Sequence, residues 1–197
     1  MNSLLMNIST ALIILALSAG LSALITRKTV WRWMIVTVVI ILSLVIPVVG
    51  SNPWLWINGA TGELSITSLI LLAGFVLHKL FGQAILSSST RRHLYFLILL
   101  TGILLFPATL GLTHFDPYVF GYSFELSLLL LSLSVLYWIV KKKQLSLILL
   151  IVVVASVAGI SSSQNTWDYF IDPMLWLFSP VLLVILLKNK QRTTIFS

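Results

Sequence analysis

No cysteine occurs among the 197 residues of the chain. A disulfide scaffold, a thiolate metal site and a cysteine nucleophile are thereby excluded. Charge is almost as scarce. Asp and Glu number 5, Lys and Arg 12, and charged residues make up 9% of the chain, against about 25% in a soluble domain. No G-x-S-x-G motif appears, no serine has a recognisable base partner, and only 3 histidines are present. Nucleophilic catalysis therefore has no visible machinery. No ionisable residue falls near the middle of any long apolar run, where an ion path or proton relay would place one. Lys79 comes nearest, and its stem can snorkel to a membrane surface. Paired histidines at matching depth, as a membrane haem needs, are missing as well.

What fills the chain is apolar. Hydrophobic residues make up 59% of it and the mean hydropathy is +1.09. This is the composition of a polytopic membrane protein. Runs such as Ile35–Val49 and Leu145–Ile160 are long and unalternated. Strands of a membrane barrel would alternate over about ten residues, so helices are expected. The expected fold is an all-α transmembrane bundle of seven spans, at about 4–25, 30–50, 64–85, 93–113, 124–140, 145–161 and 173–188. The fifth and seventh are the shortest, and each is expected to gain a turn or two from the loop before it. The remaining residues are divided among short loops and tails, so residues 1–197 are expected to form a single integral membrane domain. The first span lacks the basic n-region of a signal peptide, and its retention is expected.

Basic residues set the orientation. They cluster at Arg27, Lys28 and Arg32, at Lys79, Arg91 and Arg92, at Lys141, Lys142 and Lys143, and at Lys188, Lys190 and Arg192. These groups follow spans one, three, five and seven. Basic loops stay cytoplasmic, so the N-terminus is expected outside and the C-terminus inside. Glu63, Asp116, Glu125, Asp168 and Asp172 then all fall on the outer side. Random placement would do that about one time in 32, since acids contribute little to topology. Two readings account for it. Acids fill the polar positions that topology leaves outside, or the outer face works through carboxylates.

Each outer loop carries Asn or Asp before Pro, with an aromatic residue following: Asn52-Pro53-Trp54, Asp116-Pro117-Tyr118, and Asp172-Pro173 ahead of Trp176. The Asx side chain accepts from free N–H groups of a first helical turn, where proline fits. The aromatics suit headgroup depth. Asp172 is expected to open span seven, and Asn52 and Asp116 to open short interfacial helices. Pro47, Pro107 and Pro180 are expected to kink spans or mark their ends. Ala19/Ala23 and Ala155/Gly159 are small-residue pairs suited to close helix approach.

The second and third outer loops hold more than capping requires. If spans four to seven pack together, these loops meet over one mouth, bringing Asp116, Asp168, Asp172 and Glu125 near one another. The candidate outer-face site is therefore His114, Asp116, Tyr118, Tyr122, Glu125, Trp167, Asp168 and Asp172. The spacing matches no fixed metal motif, so no metal and no cofactor is expected. The net charge of +7 belongs to the membrane-facing inner loops and does not imply nucleic acid. The expected partners are the lipid bilayer and another membrane or envelope protein, and the expected location is the bacterial cytoplasmic membrane. A non-enzymatic, partner-binding or accessory component is the leading functional expectation. An envelope enzyme or a lipid- or glycan-handling protein using the outer carboxylates stays open, as does a small transporter or flippase.

Overall fold

The structure is a computed structural model that describes residues 4–46 and 51–195, with the backbone alone for 189–195. Pro47 lies outside the described residues. The described chain is all-α, with no β-strand. The helices are α1 (Leu4–Ile25), α2 (Thr29–Val45), α3 (Pro53–Thr61), α4 (Ile66–Phe81), α5 (Ser88–Thr109), α6 (Phe124–Ile139), α7 (Lys143–Val157), α8 (Thr166–Phe170) and α9 (Pro173–Ile195), with a 3-10 turn at Pro117–Tyr122.

Local chemistry sets these bounds. Asn52 caps α3 by accepting from Leu55 N at 3.0 Å. Asp116 caps the 3-10 turn by accepting from Tyr118 N at 2.9 Å. Asp172 opens α9 by accepting from Leu175 N at 2.8 Å. All three are the Asx–Pro starts visible in the sequence. Pro107 lies in the last turn of α5 and Pro180 inside α9. The α5 and α7 ends use a glycine in the left-handed region, Gly111 (φ 73°) and Gly159 (φ 61°). There Leu112 N donates back to Pro107 O, and Ile160 N to Ala155 O. Gly159 therefore ends α7 and does not serve helix packing, whereas Ala155 and Ala19 are both buried.

Two helices, Leu4–Ile25 and Ser88–Thr109, are long and apolar enough to cross a membrane. The other apolar helices run to 17 residues or fewer: Thr29–Val45, Ile66–Phe81, Phe124–Ile139, Lys143–Val157 and the Pro173–Lys188 part of α9. A 16-residue helix such as α6 is about 24 Å long, short of the roughly 30 Å of hydrocarbon. Seven helices of full spanning length are thus not what forms. The expected extra turn before spans five and seven does not form either. Ser123 is extended (φ −100°, ψ 156°) ahead of α6, and Pro173 takes the first turn of α9, which lengthens at its other end instead.

The chain divides into two compact units, residues 1–64 with 68–85 and residues 65–67 with 86–197. In the first, α1 packs against α2 and α3. Its core gathers Ala16, Ala19, Val36, Val76 and Leu80. Arg32 ties the basic end of this unit together, donating to Thr26 O at 3.0 Å and Lys79 O at 2.9 Å. At the other end, Leu64 N donates to Ser9 Oγ at 3.0 Å.

In the second unit, α6 and α7 form an antiparallel hairpin and α5 pairs with α9. Gly102 lets α9 approach, because a Cβ there would overlap the Trp176 indole. That ring lies 4.6 Å from Phe106. Ser134 Oγ donates across the hairpin to Ser146 O at 2.8 Å, the kind of bond that holds apolar helices together. Large apolar side chains remain exposed along these helices, among them Phe96, Leu100 and Ile103 on α5 and Leu129, Val135 and Leu136 on α6. The alternating helix directions gather Arg91, Arg92 and Lys141–Lys143 at one end of the unit. Asp116, Glu125, Asp168 and Asp172 lie at the other.

Candidate functional site

The acidic end of the second unit is a cap built from the 3-10 turn and α8, which contact each other and the ends of α5, α6 and α7. The 3-10 turn presents Tyr118, whose hydroxyl donates to Asp168 with both carboxylate oxygens at 2.8 Å. Ser163 Oγ donates to the same carboxylate. Trp167 is buried, and its indole N–H donates to Pro117 O at 3.1 Å. The second and third outer loops of the sequence reading therefore meet, through Tyr118, Trp167 and Asp168.

Asn165 joins them from inside. It is fully buried. Its Nδ2 donates to Tyr118 O at 3.0 Å, and its Oδ1 accepts from Trp167 N at 2.9 Å, capping α8. Gly121 makes room for it, since a Cβ at that position would overlap the Asn165 amide. Tyr169, also buried, accepts from Ser161 N at 3.1 Å and donates to Ser163 O at 3.0 Å. Asn165, Ser163 and Tyr169 were not among the expected site residues. The signal for Asn165 was present: it stands two residues before Trp167, as Asn52 stands before Trp54 and Asp116 before Tyr118.

The other expected site residues take different positions. Asp172 is buried and turns to Ser65, accepting from its backbone N at 3.1 Å and its hydroxyl at 2.8 Å. Asp116 is exposed and caps its own turn. Glu125 is exposed in the first turn of α6, and His114 is exposed before the 3-10 turn. Tyr122 is exposed and stacks edge-on against Tyr118 at 5.9 Å. Each of the three aspartates, Asp116, Asp168 and Asp172, accepts from donors of its own. Among the described residues no group of three or more His, Asp or Glu could hold a metal ion.

The electrostatics follow from the contacts. Tyr118 holds its proton well above the ordinary phenol range. Burial is the largest cause, and the hydrogen bond to Asp168 and the charge of that carboxylate act in the same direction. A phenol so placed is a donor and not a base. Around it Phe115, Val119, Phe120, Tyr122 and Phe124 leave large apolar surface exposed. The cap therefore combines an internally satisfied polar interior with a ring-rich exterior.

Comparison with protein families, with curated proteins and with solved structures finds no match to this chain.

Proposed function

We propose that the chain is a multi-pass component of the bacterial cytoplasmic membrane that holds a second membrane or envelope protein on its outer cap. Lipid covers the exposed leucine, isoleucine, valine and phenylalanine side chains of the long helices, which water would not tolerate in such number. Helices of 15–17 residues are accommodated by local thinning and by aromatic anchors at their ends. The clustering of lysine and arginine at one end of each unit sets that end in the cytoplasm. The N-terminus and the cap then face outward, and all seven apolar helices serve as spans of one membrane domain.

One observation carries the accessory reading over the enzymatic one. Asp168, the central carboxylate of the cap, is committed to Tyr118 and Ser163. A carboxylate engaged by two hydroxyls is an organiser of the loops, whereas a general acid or base needs reach to a substrate proton. The exposed rings of Phe115, Phe120 and Tyr122 supply the aromatic surface that protein interfaces favour. The exposed carboxylates of Asp116 and Glu125 suit a partner segment that is basic or rich in hydroxyls.

The experiment is cross-linking and co-purification from intact membranes. Phe120→Ala with Tyr122→Ala should abolish recovery of the partner while the protein stays folded and inserted. Asp116→Asn with Glu125→Gln should weaken recovery. An unchanged co-purification profile together with a lost envelope phenotype would favour an enzyme working through those carboxylates.

A further inference from the structure

In the first unit, α3 closes the end that lies away from Arg27, Lys28 and Lys79, packing on α1 and α2. Leu55, Trp56, Gly59 and Ala60 are its exposed side. Asn58 is on the opposite side, with 3% of its surface accessible. Neither its Nδ2 nor its Oδ1 has a hydrogen-bond partner among the described residues. A carboxamide offers two donors and two lone pairs, and a buried one is almost always bonded. Asn165, in the second unit, shows the ordinary outcome: it is fully buried and both of its amide atoms are bonded. Packing α3 down strips water from the Asn58 amide and returns no bond for it. The packed position of this helix is thus weakened by its own inward-facing residue.

The attachments of α3 differ at its two ends. At the start, Asn52 Nδ2 donates to Leu44 O at 3.2 Å, an exposed bond that water can replace. Beyond the other end, Leu64 N donates to Ser9 Oγ at 3.0 Å, and this bond is buried. One tie is loose and the other is fixed. Between the helix and the fixed tie stands Gly62, at φ 60° and ψ −144°. Glycine occupies that region and other residues avoid it. A Cβ at Gly62 would meet nothing within 4 Å, so the glycine answers to the backbone and not to crowding. The chain therefore has its most freely turning residue where a pivot for α3 has to be.

We propose that α3 is a hinged lid on the first unit, pivoting at Gly62 and kept from locking shut by the unpaired amide of Asn58. In the open position water or lipid headgroups supply the bonds that the amide lacks when closed, and the parts of α1 and α2 beneath α3 become accessible. The opening is a local event, in which α3 leaves its seat while the pairing of α1 with α2 persists. The lid rests on the geometry of the first unit alone and not on the role assigned to the cap of the second.

The test is amide hydrogen exchange on the full chain in nanodiscs, comparing α3 with the centre of α1. Asn58→Leu should slow exchange in α3 about tenfold or more, because the closed lid no longer carries an unpaired amide. Exchange at the centre of α1 should not change. Thr37→Leu, a polar-to-apolar change at an exposed position of α2, should leave α3 as it is. Gly62→Ala should act in the opposite direction and speed exchange in α3, since the closed pivot disfavours a side chain. Asn58→Asp serves if the leucine variant fails to fold. A carboxylate is not buried without a partner, so this variant should hold the lid open, raising exchange in α3 about tenfold or more with the centre of α1 unchanged. The lid is overturned if α1 and α3 change together in these variants, because α3 is then part of the packed body and opens only when the unit unfolds. It is equally overturned if Asn58→Leu speeds exchange in α3, which would mean that the buried amide holds the helix down, for instance through a trapped water.

Discussion

Replacing Gly121 by alanine drives a methyl group into the most tightly built part of the cap. Gly121 is buried in the 3-10 turn, and its Cβ would overlap the Asn165 amide and stand 2.6 Å from Trp167 Cδ1. Asn165 cannot retreat into solvent, because it is fully buried. Its displacement breaks the bonds to Tyr118 O and from Trp167 N, at a net cost of about 1 kcal/mol each. Overpacking adds about 1–3 kcal/mol. The smallest sum is about 3 kcal/mol, which lowers the melting temperature of a chain this size by about 6–12 °C. Thermal unfolding in detergent, followed by circular dichroism at 222 nm and by tryptophan fluorescence, measures it. The control is Gly74→Ala in α4, where nothing lies within 4 Å of the added Cβ and the helix gains about 0.5–1 kcal/mol. If Gly121→Ala melts with the parent, Asn165 does not hold the two loops together as described.

Asp172→Ala removes the cap of α9 and leaves the buried Ser65 donors without their carboxylate. A loss of about 3 kcal/mol is expected, whereas Asp116→Ala, at an exposed cap, should cost about 1 kcal/mol. Denaturant titration of the two variants side by side gives the difference. Tyr118 governs an alkaline limb. Its folded pKa is raised, so its contribution is full below the unfolded phenol value of about 10 and is lost as pH rises through the folded value. Stability should therefore be insensitive to this group from neutrality to mildly alkaline pH. Tyr118→Phe should flatten the decline above about pH 10, as read by melting temperature against pH. Ser134→Ala leaves Ser146 O and its hydroxyl short of a partner across the α6–α7 hairpin and should cost about 1 kcal/mol.

Much of the architecture was legible where apolar length and cap chemistry agree. The first span was read at 4–25 and forms at Leu4–Ile25, because charged residues follow it directly. The starts at Asn52, Asp116 and Asp172 were legible because Asx before Pro leaves the backbone few alternatives. The start of α5 was misplaced to residue 93, since Arg91 and Arg92 look like loop residues. Ser87 caps the helix ahead of them, and a solvated first turn tolerates their charge. Helix α4 is shorter than its apolar run, with Gly82 (φ 74°) following its last turn. The meeting of the second and third outer loops was legible from helix alternation. Asp168 takes its donors from Tyr118 and Ser163, and Asp172 from Ser65 and Leu175. No one-dimensional pattern carries that choice, which depends on which donors the turns bring near. Asn165 was missed because its proline-free cap lacks the stronger half of the motif.

The central claim is that the cap faces out while Lys141–Lys143 face the cytoplasm. The parent chain has no cysteine, so one introduced thiol reports without background. Ser162→Cys lies in the cap and Ser89→Cys beside the lysine turn, both at exposed positions. In intact cells a membrane-impermeant maleimide should label position 162 and leave position 89 untouched until the membrane is permeabilised. Labelling of 89 with protection of 162 would invert the protein and remove the basis for its outer docking role.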